Sequence, residues 1–155
     1  MTRTTDAAAE RSSWTAAQVH RQALIVIEST LAAMGSVIEG ETRHGLVVRL
    51  ASGRRYDIVV KGARAPYYVW VPKTIFPAHR DQALALVTFF DSEPEAAYLV
   101  RGPVFRQTEA ALSQLVKNRD YIGKQSEPEF GLYLNEVTLP LLKRFRLDAM
   151  VRRLD

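Results

Sequence analysis

The chain has 155 residues, 47% of them hydrophobic and 25% charged, which fits one globular domain rather than a disordered or fibrous chain. It contains no cysteine, so disulfides, thiolate catalysis, iron–sulfur clusters and cysteine zinc sites are excluded. The net charge of +4 belongs to the first half: residues 1–77 hold ten Lys/Arg against six Asp/Glu, whereas residues 78–155 hold eleven of each.

In chain order, residues 1–12 read as a disordered tail and residues 13–155 as a single domain. Over residues 14–34 the apolar positions Ala16, Val19, Ala23, Ile27, Leu31 and Met34 recur every three or four residues. That spacing predicts a helix with Ser13 as N-cap and Gly35 as its stop. Residues 36–41, 45–50, 54–61 and 67–71 are rich in β-branched and aromatic residues and separated by Gly or Pro, the pattern of a strand meander. Residues 83–90 and 96–100 predict a further strand pair around the Asp91-Ser92-Glu93-Pro94 turn. Residues 108–118 have helical spacing, as do 137–151, where Pro140 fits only a first turn. Residues 119–134 are expected to form an ordered loop with a short strand. The expected fold is α+β (α/β), a central mixed sheet of about five strands with an N-terminal helix and C-terminal helices. The longest apolar stretch, residues 83–90, falls far short of the ~20 residues a membrane helix needs. The N-terminus is polar, so a cytoplasmic location with no membrane partner is expected.

From Arg43 to Arg80 the charged residues are Arg43, Arg49, Arg54, Arg55, Lys61, Arg64, Lys73 and Arg80 against Asp57 alone. Tyr67, Tyr68, Trp70 and Phe76 are interleaved with them. A basic stretch with stacking side chains points to nucleic acid, with DNA the first expectation. The bland alternative is a solvated face in an Arg-biased chain, since there are sixteen Arg and five Lys.

The runs Gly45-Leu46-Val47-Val48, Ile58-Val59-Val60-Lys61-Gly62, Tyr67-Tyr68-Val69-Trp70, Ala83-Leu84-Ala85-Leu86-Val87 and Tyr98-Leu99-Val100 resemble, in order, the strands of small stand-alone prokaryotic members of the restriction-endonuclease-like, PD-(D/E)xK superfamily. The resemblance implies a restriction-endonuclease-like sheet and a phosphodiester-cutting site, in which an aspartate on one strand and a Glu or Gln on the next hold Mg2+. A Lys two residues later shares their face because strand side chains alternate. Here the Lys is Lys61, Val59 stands at the second ligand position, and His44 and Gly45 stand near the first. Two metal ligands are therefore missing from the pattern.

A two-residue turn at Ser52-Gly53 would pair Ala51 with Arg54 and set His44 opposite Lys61. Asp57 would share the face of Lys61, either as a displaced metal ligand or as the ion-pair partner of Arg49, Arg55 or a neighbouring strand. Glu28, at the margin of the first helix, is the other candidate ligand, its alternative being a boundary carboxylate facing water. Three isolated histidines, His20, His44 and His79, have no zinc spacing, and no phosphate-binding loop or serine-hydrolase motif is present.

Three readings follow. In the first, the chain binds nucleic acid through Arg43, His44, Arg54, Arg55, Lys61, Arg64, Tyr67 and Lys73 and has lost cleavage. In the second it is an active nuclease, with Glu28 and Asp57 holding Mg2+ or Mn2+ and Lys61 orienting the attacking water. In the third it is an interaction subunit of a defence or repair complex, or a homodimer, whose aromatics are buried against a protein partner.

Overall fold

The computed structural model describes residues 9–107, 109–120 and 127–154. Helix α1, Ala16–Ala33, begins at Thr15 rather than Ser13: the Gln18 amide donates to Thr15 Oγ1 (3.2 Å) and the Thr15 amide donates to Gln18 Oε1 (2.7 Å), a reciprocal cap. Ser13 instead donates its hydroxyl to the Glu10 carbonyl, and residues 9–12, expected as part of a disordered tail, are helical; residues 1–8 lie outside the described residues. Gly35, at φ 85°, closes α1 as expected, its amide donating to Ala32 and that of Ser36 to Leu31.

Five strands form the main sheet: β1 (Val37–Glu41), β2 (Gly45–Arg49), β3 (Arg55–Ala63), β5 (Gln82–Thr88) and β6 (Ala96–Arg101). Their spatial order is β1-β2-β3-β5-β6, antiparallel except where β3 runs parallel to β5. The mixed α+β class is thus as expected, with α1 before the sheet and helices after it. The meander, however, stops at β3. Strand β5 is buried along almost its whole length, and such a run needs neighbours on both edges and cover on both faces. It therefore takes the edge of β3, and β4 (Tyr68–Pro72), whose face is aromatic and partly exposed, leaves for a second sheet. There it pairs with β8 (Glu129–Tyr133), which also pairs with β7 (Val116–Arg119).

Two helix expectations are corrected. Within residues 108–118, Ala110–Leu112 is a single 3-10 turn and the chain then extends into β7; Thr108 lies outside the described residues. Leu112 and Leu115 still reach the core, while pairing of Val116 and Asn118 with β8 outweighs the local spacing. Residues 137–151 divide into α2 (Leu139–Leu142), with Pro140 in its first turn, a 3-10 turn Lys143–Phe145, and α3 (Leu147–Leu154). The break falls at Arg146, which turns extended and bridges Tyr98 on β6. The expected strand within residues 119–134 is β8, and residues 121–126 lie outside the described residues.

The β2–β3 hairpin has a three-residue loop, not two. Leu50 pairs with Arg54 (amide to carbonyl 2.8 Å), and Gly53 at φ 90° supplies the left-handed residue such a loop requires. Gly45 then faces Val59, Leu46 faces Ile58 and Val48 faces Tyr56, and the amide of Val60, not Lys61, meets His44. This one-residue shift sorts the faces. A Cβ at Gly62 would meet Val19 Cγ1 at 2.7 Å, so Gly62, Val60, Ile58 and Tyr56 look toward α1. By alternation Asp57, Val59 and Lys61 look the other way. One cluster of buried side chains draws on α1, both sheets and the C-terminal helices.

Candidate nucleic-acid interface

Lys61 lies near the C-terminal end of β3, half-buried, beside Leu86 of β5. Burial pushes its pKa below the usual lysine value, and the charge of Glu129 on β8 opposes that shift in part. It lines a cleft of about 560 Å3 whose walls include Arg11, Arg64, Tyr67, Tyr68, Trp70 and Asp91. One wall is tied down by Arg64, which donates to the Trp14 carbonyl (2.6 Å) and the Arg11 carbonyl (3.4 Å).

The second sheet gives the cleft its aromatic side. Tyr68 and Tyr133 are cross-strand partners with ring centroids 4.3 Å apart and planes 16° apart, and Tyr68 stacks in turn on Trp70 at 4.9 Å and 15°. Opposite Trp70 stands Gly131, where a Cβ would meet the indole at 2.4 Å. The missing side chain lets the ring lie across β8 toward β7, where the Arg119 guanidinium sits 4.5 Å from its centroid. Tyr68 and Trp70 also line a second hollow of about 440 Å3 with Lys117, Asn118 and Arg119. The two hollows therefore share these rings, with cations on both sides. Among the described residues no family of metal-ligating side chains gathers here or elsewhere: no group of three or more His, Asp or Glu is placed to hold a metal ion.

Comparison with family models, with curated proteins and with solved structures returns no match.

Several residues expected to grip phosphate are already engaged within the fold. Arg54 pairs with Asp81 at 3.6 Å and lies over the Tyr56 ring. Arg55 pairs with Glu39 at 3.3 Å, and Arg49 pairs with the other oxygen of the same carboxylate. Lys73 pairs with Asp120 at 2.5 Å, also reaches Asn118, and sits 4.4 Å from the Phe130 centroid. Phe76, expected as a stacking surface, is fully buried, edge-on to Phe105 and Phe130. Arg43 is exposed and His44 half-buried, and both line a third hollow with His20 and Lys61. Tyr67 is 70% exposed beside the Lys61 cleft.

The carboxylates expected near Lys61 do not converge on it. Asp57 is exposed on the face away from α1, whereas Glu28 belongs to α1, so the sheet lies between them. Asp57 is not the partner of Arg49 or Arg55 either; Glu39 takes both, placed by a bulge between Ile38 and Gly40 that sequence alternation had no means of locating. Tyr133, Lys117 and Arg119 were missed because they join the site through β8. The one hint was the alternation Glu129-Phe130-Gly131-Leu132-Tyr133, which marks a strand with one buried face.

Proposed function

We propose that this chain binds nucleic acid through the face that carries Tyr68, Trp70 and Tyr133, on a restriction-endonuclease-like scaffold that has lost cleavage. One observation carries the reading: a stack of three rings flanked by Lys117 and Arg119 on one side and Lys61, Arg64 and Arg11 on the other. Cations so arranged neutralise phosphates on either side, and the rings between them, stacked on one another, present an apolar wall along which the strand lies. Loss of cleavage is supported by Val59 at the position where the resembled family carries a metal-binding Glu or Gln, and by the separation of Asp57 from Glu28.

Fluorescence anisotropy with labelled DNA and RNA oligonucleotides across a salt series tests the reading. Binding that weakens steadily with salt and falls sharply in Arg119→Ala is the expected result. A folded wild-type protein that binds no oligonucleotide at low salt overturns it. The loss of cleavage is tested separately with plasmid and oligonucleotide substrates in Mg2+ or Mn2+: strand scission abolished by Lys61→Ala would restore the active-nuclease reading.

A further inference from the structure

Tyr67 differs from the other aromatic residues of the site. Tyr68, Trp70 and Tyr133 spend their ring faces on one another and on Arg119. Tyr67 is 70% exposed, the most exposed of the large apolar-bodied side chains among the described residues, and its ring stacks on no other described ring. Leaving such a ring in water forgoes the burial that its size would otherwise bring. Its backbone is nonetheless fixed: its carbonyl accepts from the Leu134 amide at 3.2 Å, and β4 begins at the next residue. A largely exposed ring on a hydrogen-bonded backbone therefore borders a cleft of about 560 Å3, a volume within the range of small-molecule sites. Arg11 and Lys61 bring positive charge to the same cleft, and Asp91 brings a carboxylate.

Paired bases in a duplex have both faces occupied by their neighbours, so a ring in a concave cleft reaches only a base that is unpaired. A carboxylate accepts hydrogen bonds and gives none, so at a base edge it favours exocyclic amino groups, as on cytosine, adenine or guanine, over a thymine or uracil edge, whose single N3–H donor lies between two carbonyls that repel it. We propose that this cleft holds one unpaired nucleotide of a single strand, its base stacked on Tyr67, its phosphate against Lys61 and Arg11, and its amino edge toward Asp91. The inference rests on the nucleic-acid reading above and narrows it to single strands with amino-bearing bases.

The test measures anisotropy of labelled oligo-dC, oligo-dA and oligo-dT and of a hairpin duplex with wild type, Tyr67→Ala, Tyr67→Phe and Asp91→Asn. The expected result is tighter binding of oligo-dC and oligo-dA than of oligo-dT or duplex. Tyr67→Ala should cost about tenfold in single-strand affinity, the scale of one lost stacking contact, Tyr67→Phe should retain it, and Asp91→Asn should erase the preference over oligo-dT. Because Tyr67 is at the surface, thermal melts of the variants should match wild type. Equal loss for duplex and single strand, or no loss in Tyr67→Ala, overturns the nucleotide cleft while leaving nucleic-acid binding intact. Binding of no oligonucleotide at all overturns both.

Discussion

Lys61 carries its charge in a place that partly strips it of water. Its lowered pKa means that the folded chain holds this proton less tightly than the unfolded chain does. The unfolded state then binds more protons at alkaline pH, so the stability attributable to Lys61 rises as pH climbs toward its ordinary value of 10.5. Tyr98 works in the opposite sense. Burial raises its pKa, against the nearby charge of Arg146, so above the ordinary value of 10.0 the unfolded chain releases that proton first and stability falls. Lys61→Met is therefore expected to raise the melting temperature at neutral pH, with a gain that shrinks as the pH is raised; melts in a pH series check this, and a constant difference would contradict it. Lys61 was legible in the sequence because strand alternation after Ile58-Val59-Val60 gives it a defined face. Its aromatic neighbours Tyr68 and Trp70 were legible as residues, but not their stacking partner Tyr133, which lies more than sixty positions away along the chain.

Strand identity and strand partnership behaved differently. The positions of β1 to β6 could be read from periodicity and punctuation, since each signal is local. The departure of β4 from the meander could not, because it is decided by the need of β5 for two covered faces. The hairpin register turned on the loop length around Gly53, which the Ser52-Gly53 pair leaves open between two and three residues. Gly131→Ala tests how the second sheet supports the site. Its methyl would displace the indole of Trp70, break the stack with Tyr68 and remove the seat of Arg119, so oligonucleotide binding should fall several-fold. The main sheet should persist by far-ultraviolet circular dichroism; unchanged binding would show that the ring stack is dispensable. At α1, Thr15→Ala removes the reciprocal cap and is expected to cost about 1 kcal/mol in chemical denaturation, whereas Ser13→Ala should cost much less.

Over the whole molecule, the count of cations is a poor guide to the count available for phosphate. The basic stretch from Arg43 to Arg80 looks like one patch in the sequence, but Arg54, Arg55 and Lys73 face Asp81, Glu39 and Asp120 across the fold. The double variant Arg54→Ala, Arg55→Ala should leave the salt dependence of binding nearly unchanged. Arg119→Ala should lower the slope of log affinity against log salt by about one; the reverse ranking would move the interface to the β2–β3 hairpin. The margins of the main sheet have their own consequence. At one margin β1 is bent by its bulge and carries Glu39 and Glu41; at the other, Arg146 already bridges Tyr98 and α3 packs on β6. An incoming strand from another molecule meets a kinked border of ion-paired side chains on one side and an occupied one on the other, so neither border templates cross-β growth.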